Sequence, residues 1–385
     1  MRIDRARDTL RSFDYLLFAA IAGLVAIGIV FIHSASAWRG EWGQIAPYLD
    51  YAPRQFQWAL ISVGVFFAIL VPRYSRLRPF AYTFYALVLV ALMATFVIGT
   101  GPERSPGVKR WLRIAVGGRR IADFQPSQLM EVAVVIAIAR YLMFKREIRW
   151  RHIIAVFAMA GVPMLLILKQ PDLGTALLFL PLPFVLLFVA GASFKRLAAI
   201  ATAGAAVLPA FWMFVMKPYQ QVRFLAWLKP HAYEINEGWQ YIHSRIAVGS
   251  GGLLGRGLGN GTQSSLKYLS EKHTDFIFAV ICEEWGFWGA LLVIVLYLLI
   301  VLTGLGIAAR TRDPFGRFIG VGIVTLLATQ TFVNMGMNVG LMPITGLTLP
   351  FISYGGSSLL ASFIAVGIMM NVAVHPVVTL ARDGY

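Results

Sequence analysis

Residues 275–306 read DFIFAVICEEWGFWGALLVIVLYLLIVLTGLG, a stretch that begins with an acid and is otherwise almost entirely apolar. It is longer than the roughly 20 residues that a helix needs to cross a hydrocarbon layer of about 30 Å. The stretch therefore predicts a transmembrane helix, and Asp275 lies where a polar, glycine-rich segment turns into it. A carboxylate at a membrane boundary is costly and usually serves a function.

The rest of the chain has the same apolar character. Of its 385 residues, 58% are hydrophobic and 14% are charged, and the mean hydropathy is +0.70. This composition leaves too much apolar surface for a water-soluble fold and indicates a polytopic membrane protein. The only cysteine, Cys282, lies in an apolar stretch and excludes an internal disulfide, so we interpret it as a packing residue.

Apolar windows predict ten transmembrane helices in a single all-α membrane domain that covers residues 1–385. The helices are expected near residues 13–33, 55–71, 80–99, 127–143, 152–168, 173–190, 195–216, 275–306, 315–340 and 353–375. Two long loops, 100–126 and 217–274, follow the third and the seventh helix. An even number of spans places both termini on one side of the membrane.

The distribution of cations predicts the orientation. The net charge is +16, and the short connections on the side of the termini are consistently basic, which places the termini in the cytoplasm. The two long loops are then extracytoplasmic, although they are also basic. Their cations are Arg104, Lys109, Arg110, Arg113, Arg119, Arg120, Lys217, Arg223, Lys229, Arg245, Arg256, Lys267 and Lys272. Either long loops are exported regardless of charge, or the outer face binds a multiply charged anion.

The same cations bear on the partners. Basic loops beside a membrane predict contact with anionic membrane lipids or an anionic substrate. The chain has no basic helix and no interleaved aromatic and basic module, so no nucleic-acid partner is predicted.

Asp275 has two interpretations that are compatible with each other. It could cap the helix that follows, or it could act as a general base. Glu283 and Glu284 lie eight and nine residues further on, about 12 Å along a helix, so no second carboxylate is expected within reach. Glycoside hydrolysis usually needs two carboxyls, whereas transfer from a sugar diphosphate needs one base and cations for the leaving group. A lone acid among cations favours transfer.

Three further polar motifs have a structural and a functional interpretation each. Lys109, Arg110 and Trp111 could anchor a loop at the head groups or bind a charged sugar. Lys169, Gln170 and Asp172 could form an internal ion pair or contribute to a site. Residues 353–358, which include Ser353 and Ser357, could bind a head group or satisfy broken backbone at the start of the last helix.

Two other kinds of site were considered. The glycine-rich segment 249–261 lacks the Walker lysine and follows no strand, so it predicts tight turns and close backbone approach, or amides that bind an anion, rather than a nucleotide site. The six histidines are dispersed and no metal-ligand spacing is present. No cofactor is predicted with certainty, and a divalent cation, Mg or Mn, that bridges Asp275 and a diphosphate is compatible with the sequence.

Taken in order, the motifs resemble the SEDS family (shape, elongation, division and sporulation proteins), in particular its RodA-like branch, over essentially the whole chain. The motifs lie at residues 107–112, 124–127, 169–176, 223–225, 246–263, 273–279, 283–284, 334–337, 346–350 and 353–358. The lead-in Glu271-Lys272-His273 and the compact termini favour the elongation branch over the division or sporulation paralogue.

The resemblance implies a peptidoglycan glycosyltransferase of the bacterial cytoplasmic (inner) membrane. Its substrate would be lipid II, a disaccharide-pentapeptide on undecaprenyl diphosphate, and its partner a class B penicillin-binding protein transpeptidase. Asp275 matches the family's essential acid and would deprotonate the acceptor hydroxyl. The expected substrate-binding residues are Lys109, Arg110, Trp111, Lys169, Gln170, Asp172, Arg223, His273, Thr274, Ser353 and Ser357. Of these, Lys109, Arg110 and Arg223 are the candidates for contacts to diphosphate.

One departure from the family pattern concerns the fourth predicted helix. Where the family commonly has Pro-Ser-Glu followed three residues later by Lys, this chain has Gln128 and Glu131. Both members of the acid and base pair are replaced, so the salt bridge that the family forms on this helix is not predicted for this chain.

Two alternative functions also fit a many-helix bundle. One is a lipid II flippase with Glu131, Arg140 and Glu283 along a polar pathway, and the other is a non-catalytic scaffold.

Overall fold

The computed structural model describes residues 12–36, 38–39, 45–46, 51–101, 109–116, 119–214, 216–233, 237–265, 268–269 and 271–376. Within these ranges it is predominantly helical, which confirms the predicted all-α membrane fold. Parts of the sequence-based interpretation lie outside the described residues: the N-terminal cations, Arg104, the start of the 107–112 motif, Lys267 and Arg382.

The helices follow one another along the whole chain. They are α1 (Tyr15–Ser36), α2 (Ala52–Leu70), α3 (Leu77–Ile98), α4 (Pro126–Leu142), α5 (Trp150–Lys169), α6 (Leu173–Leu178), α7 (Pro181–Val189), α8 (Phe194–Phe214), α9 (Pro218–Leu228), α10 (Glu237–Ser250), α11 (Thr262–Ser265), α12 (Ile277–Arg310), α13 (Pro314–Val339) and α14 (Gly356–Val374). Short 3-10 helices cover Tyr74–Arg76 and Pro230–Tyr233. Strands β1 (Trp38–Arg39) and β2 (Ile45–Ala46) form one antiparallel hairpin, and β3 (Leu112–Val116) and β4 (Arg119–Phe124) form another.

Eight helices of the described chain are long and apolar enough to cross a membrane: α1, α2, α3 with the turn before it, α5, α8, α12, α13 and α14. Helix α4 has 17 residues. The sixth predicted span is two short helices, α6 and α7, because Pro181 and Pro183 at the start of α7 cannot donate backbone hydrogen bonds to continue α6. The total of ten spans stays a prediction.

Burial separates the helices at the centre from those at the rim. The most apolar windows of α13 and α14 are each 72% buried, whereas that of α8 is 6% buried. Helix α4 is buried on nearly all sides and packs against α3 and α13. Apolar residues cover both kinds of helix, so the outer face of α8 is suited to lipid and α4 to the protein interior.

Helix α12 is not the uninterrupted helix that the sequence predicts. Gly286 has φ 65° and ψ −156°, which breaks the helix at that point. The glycine-rich segment 249–261 supplies the missing hydrogen bonds: the amides of Arg256 and Gly257 donate to the carbonyls of Glu283 and Glu284 at 3.0 and 2.9 Å. The amide of Phe287 in turn donates to the carbonyl of Gly252 at 2.9 Å.

This exchange explains the glycines of segment 249–261. A Cβ on Gly255 would lie 2.1 Å from the Glu284 carbonyl oxygen, and one on Gly251 would lie 1.9 Å from that of Cys282. Only residues without a side chain allow the two backbones to approach this closely. The segment is therefore a structural partner of α12, and the amides of Arg256 and Gly257 are occupied by protein rather than left for an anion.

The two long loops contain regular structure. Segment 217–274 includes α9, α10 and α11, and α10 packs against α12 and α13. Segment 100–126 includes the β3–β4 hairpin, and Ser357 joins that hairpin to the start of α14. These elements lie over the helix ends at which Asp275 is found.

Candidate active site

The backbone around Asp275 shows that its carboxylate does not cap α12. The helix begins at Ile277, its N-cap residue is Phe276, and no side chain accepts a capping hydrogen bond. The amide of Asp275 donates to the Glu271 carbonyl at 3.0 Å, which closes a turn just before the helix. The capping interpretation is therefore wrong.

Two buried amides on α13 fix the position of Asp275. Asn334 and Asn338 each donate from Nδ2 to the Asp275 carbonyl oxygen at 3.1 Å, and neither side chain is exposed. Asn338 also accepts the amide of Ala279 on α12 at 3.2 Å. The motifs predicted no role for these residues, although two asparagines one turn apart in an apolar helix are costly unless they are paired.

His273 and Thr274 are held by the segment before α14. Ser353 Oγ donates to the Thr274 carbonyl at 2.5 Å and accepts the Leu349 amide at 2.7 Å. The amide of Tyr354 donates to the His273 carbonyl at 2.9 Å. Ser353 is buried, so of its two interpretations the structure supports the satisfaction of broken backbone.

Ser357 likewise satisfies backbone groups, next to the β3–β4 hairpin. Its Oγ donates to the Asp123 carbonyl at 3.0 Å and accepts the amide of Gln125 at 3.2 Å. These contacts tie the start of α14 to the end of β4. Ser357 thus orders the backbone beside the site.

The imidazole of His273 lies in an aromatic cluster. It stacks on Tyr51, with ring centroids 4.6 Å apart and an interplanar angle of 12°, and Tyr354 lies 5.8 Å away. Burial, followed by the nearby Lys272 cation, lowers the pKa of His273 to about 4. The imidazole is therefore neutral at physiological pH and contributes a flat, uncharged surface.

Asp172 is bound to Arg110 rather than to Lys169. Arg110 Nη1 lies 3.6 Å from Asp172 Oδ2, and Arg110 Nε donates to the Gln170 carbonyl at 2.9 Å. Arg110 also donates to the carbonyl of Pro171. Asp172 Oδ1 accepts the Thr175 amide at 3.2 Å and caps α6. Of the two interpretations of this motif, the internal Lys169–Asp172 ion pair is not the one observed, because the cation that pairs with Asp172 is Arg110, from a loop far earlier in the chain.

The other predicted residues on this side are placed around the Arg110–Asp172 pair. Gln170 is buried and donates to Thr95 Oγ1 at 2.6 Å, which fixes the end of α5 against α3. Lys169 is exposed, and Trp111 is half-buried. Lys109 Nζ lies 3.3 Å from the Val97 carbonyl at the end of α3, where a cation is favourable.

Asp172 and Asp275 are close enough to interact electrostatically. Gly174 in α6 lies against the loop that precedes α14, since a Cβ there would lie 2.5 Å from the Thr345 carbonyl oxygen. On the same loop, Gly346 faces Asp275, and a Cβ there would lie 3.6 Å from Asp275 Oδ2. The loop 345–347 thus lies between the two acids.

The surroundings of Asp275 make it a weak acid. Burial is the largest cause, and the charges of Glu271 and Asp172 add to it, while Thr274 and Arg223 act in the opposite direction. Together they raise the pKa of Asp275 to about 7. Arg223, on α9, is the predicted cation that the structure places within electrostatic range of this carboxyl.

The expectation that no second carboxylate lies within reach is corrected by these contacts. Asp172 and Glu271 both influence Asp275, and the first comes from a distant part of the sequence. Asp172 is occupied by its ion pair and its helix cap, so of the two aspartates Asp275 is the one available as a base. Glu283 and Glu284 are the acids that follow Asp275 along the helix, whereas Asp172 is brought close by the fold.

Glu283 and Glu284 have structural partners. Glu283 Oε1 accepts the Gln263 amide at 2.9 Å and the Thr262 hydroxyl at 3.1 Å. Glu284 accepts from Ser34 Oγ on α1 at 2.7 Å. The break at Gly286 comes after both residues and does not bring them towards Asp275. The packing interpretation of these acids agrees with their contacts.

No group of three or more His, Cys, Asp or Glu side chains in the described ranges is arranged to hold a metal ion. A divalent cation at Asp275 would need further ligands from a substrate. It stays a prediction.

Comparison with known proteins connects this geometry to one family. The family model for cell cycle proteins that groups FtsW, RodA and SpoVE matches residues 14–377. The peptidoglycan glycosyltransferase MrdB of Escherichia coli K12 is 35% identical over 366 residues, which cover 94% of each chain. Stage V sporulation protein E of Bacillus subtilis is 36% identical over 365 residues, or 94% of this chain and 96% of the relative.

A solved structure has the same architecture. It is a chain of a peptidoglycan synthase complex whose structure describes the coordination of polymerization and crosslinking. It superposes on this chain with a TM-score of 0.75 at 29% identity. The match covers 94% of this chain and 97% of the other.

Proposed function

The chain belongs to the FtsW, RodA and SpoVE family of cell cycle proteins, and we propose that it is a peptidoglycan glycosyltransferase that polymerises lipid II into glycan strands. The observation that carries the proposal is Asp275, a half-buried carboxyl with a raised pKa whose backbone is fixed by two buried asparagines. The name of the Escherichia coli relative supports the same activity.

In the proposed reaction, the Asp275 carboxylate accepts the proton of the 4-hydroxyl of the acceptor GlcNAc. The hydroxyl oxygen then attacks C1 of the donor MurNAc from the face opposite the leaving group, so the configuration inverts. The bond from C1 to the diphosphate oxygen breaks, and undecaprenyl diphosphate departs with the electron pair. A base with a pKa near 7 is suited to this role at neutral pH.

Cations around Asp275 would stabilise the charge that develops on the diphosphate. Arg223 is the strongest candidate, because it already interacts with the Asp275 carboxyl. Arg110 is held by the Asp172 carboxylate and two carbonyls, so we assign it a fixed position beside the site. Lys109 and Lys169 add exposed positive charge at the ends of α3 and α5.

The remaining predicted contacts belong to the same proposal. His273 offers a neutral aromatic face, and the Trp111 indole is suited to packing against a sugar ring. Gln170, Thr274, Ser353 and Ser357 order the surrounding backbone. They would therefore act on substrate through the shape of the site.

We further propose that the protein acts in cell elongation, in the bacterial inner membrane, together with a class B penicillin-binding protein. The lead-in Glu271–His273 supports the elongation branch. The related synthase complex supports a partner that crosslinks the strands. Relatives of similar identity, 35% and 36%, carry a glycosyltransferase name and a sporulation name, so the cellular role needs a direct test. A fluorescent fusion of the protein should localise to the side wall if it acts in elongation and to the septum if it is the division paralogue.

The flippase alternative receives little support from the described polar residues. Glu283 is bonded to Gln263, and the Arg140 guanidinium lies 4.6 Å from the Phe144 ring. Glu131 lines a cavity of about 20 Å³, which holds about one water molecule and not a sugar head group. The three residues therefore do not outline a path for lipid II.

The decisive experiment incubates the purified protein with lipid II, with and without the penicillin-binding protein, and resolves the glycan strands on a gel. Asp275→Asn should lower the polymerisation rate by about 10²- to 10⁴-fold, because it removes the base. The control is Glu271→Gln, an exposed acid in the same loop, which should polymerise at near the wild-type rate at pH 8.

Two outcomes would contradict the proposal. Strands made equally well by Asp275→Asn would remove the general-base role. No strands under any partner condition, together with movement of lipid II across vesicle membranes, would favour the flippase.

A further inference from the structure

A basic cleft lies at the ends of the helices far from Asp275. It is formed by the connection between α4 and α5 and by the connection between α7 and α8, and its volume is about 450 Å³. Arg146, Arg149 and Arg196 line it, together with Glu147 and Ser193. The volume is sufficient for a phosphate group and the atoms that carry it, and neither the predicted nor the proposed site uses any of these residues.

The charges of the cleft favour an anion. Glu147 Oε2 lies 3.2 Å from Arg149 Nη2 and offsets one of the three guanidinium groups. Arg196 is held in place, because its Nη1 donates to the Ile148 carbonyl at 2.7 Å and its guanidinium lies 6.0 Å from the Trp150 ring. Guanidinium groups bind phosphate oxygens through paired donors.

Two helices also begin at the cleft. Helix α5 follows Arg149, and α8 follows Ser193. The positive ends of both helix dipoles therefore add to the charge of the arginines. The helices are 20 and 21 residues long.

The surroundings of the cleft indicate that the anion carries an apolar group. Three aromatic side chains flank the lining residues in sequence and are exposed: Phe144 by 64%, Trp150 by 52% and Phe194 by 73%. An exposed Trp next to arginines is typical of the membrane–water interface, and the two Phe rings add exposed apolar surface beside it. If the phosphate belongs to a phospholipid, its acyl chains would lie beside these rings when the phosphate is in the cleft.

Helix α5 also fixes the distance from the catalytic region. It runs from the cleft at Trp150 to Lys169 and Gln170, which lie next to Asp172. At 1.5 Å per residue, its length is about 30 Å, the thickness of a hydrocarbon core. The cleft and Asp275 therefore face opposite sides of the membrane, and the cleft lies on the side predicted to be cytoplasmic.

From these observations we propose that the cleft binds the phosphate of an anionic membrane phospholipid in the leaflet opposite the polymerisation site. Basic pockets between membrane helices on this side are suited to such head groups. The site is separate from that of lipid II, so it does not depend on the proposed catalytic role of Asp275.

The test is a lipid titration of the detergent-purified full chain by native mass spectrometry, which counts bound lipids. Phosphatidylglycerol should bind more tightly than phosphatidylcholine. The double variant Arg146→Gln, Arg196→Gln removes the two cations that Glu147 does not offset, and it should weaken the binding of phosphatidylglycerol by about 30-fold, since each cation near the surface contributes roughly a factor of five. The matched control, Arg310→Gln with Arg312→Gln, removes the same charge from exposed residues of another connection on this side and should retain wild-type affinity.

Three results would overturn the proposal. Equal binding of phosphatidylglycerol and phosphatidylcholine would exclude an anion site. Equal losses in the two double variants would indicate diffuse surface charge. Full competition by millimolar inorganic phosphate would indicate a site for free phosphate. Lipid II polymerisation, measured in parallel, should be unchanged in both double variants, so failure of the lipid site is distinguishable from failure of the proposed function.

Discussion

At the scale of residues, the carboxyl of Asp275 is held where its charge is unfavourable. Burial and two neighbouring acids raise its pKa to about 7, while Asn334 and Asn338 bind its backbone and leave the carboxyl alone. A base must be ionised to accept a proton. The pKa therefore ties the proposed activity to pH near neutrality.

This arrangement predicts a pH profile. If Asp275 is the base, polymerisation should rise with pH through 7 and be about tenfold faster at pH 8 than at pH 6, because the ionised fraction rises by that factor. Glu271→Gln removes a neighbouring negative charge that raises the pKa. The midpoint of the pH profile of Glu271→Gln should therefore lie at lower pH than that of the wild type. The midpoint of Glu147→Gln, a variant in the distant cleft, should equal that of the wild type. A profile that is flat between pH 6 and 8 would contradict the assignment.

A second residue-scale prediction concerns Gly346. It has φ +74°, and a Cβ there would lie 3.6 Å from Asp275 Oδ2. Gly346→Ala should strain the backbone by about 1 kcal/mol and place an apolar methyl in van der Waals contact with the carboxyl, so polymerisation should fall at least tenfold. The control is Gly252→Ala, which has φ +56° and open space around the added methyl. Equal losses of activity in the two variants would show that backbone strain alone is responsible.

At the scale of elements, the break in α12 and segment 249–261 form one unit. The backbone groups freed at Gly286 are bonded by the segment, so neither part is satisfied without the other. Residues 287–310 alone extend about 36 Å, enough to cross the membrane. The break therefore does not shorten the span, and the turns before it extend the helix towards Asp275.

This unit predicts a large difference between two glycines of the same helix. A Cβ on Gly286 would lie 2.4 Å from the Gly255 amide nitrogen, whereas nothing lies within 4 Å of a Cβ on Gly306. Gly286→Ala should destabilise the protein by about 3 kcal/mol or more and lower its apparent melting temperature in detergent. Gly306→Ala should be neutral or slightly stabilising, because alanine favours helix. Similar melting temperatures for the two variants would mean that the break is not needed.

At the scale of the whole molecule, composition was sufficient to predict an all-α membrane protein, because the apolar runs far exceed what a soluble core can hide. The ordered motifs likewise pointed to the family to which the chain belongs. These signals can be read from the chain itself, since each apolar run and each motif is a continuous stretch of sequence.

Contacts between distant segments were not predictable in this way. The Arg110–Asp172 pair joins residues more than 60 positions apart, whereas the sequence suggested only the nearby Lys169 as a partner for Asp172. The break at Gly286 depends on a segment about 30 residues earlier, and glycine is common in unbroken membrane helices. For the same reason, Asp172 was not expected beside Asp275.

The hydrogen bonds between segment 249–261 and α12 also have a consequence for biogenesis. The segment precedes α12 in the chain, yet it supplies the partners for the break at Gly286. Both must be on the same side of the membrane before those bonds can form. In the predicted orientation, which places loop 217–274 outside the cytoplasm, export of that loop would come before completion of α12 and would determine when Asp275 reaches its final position.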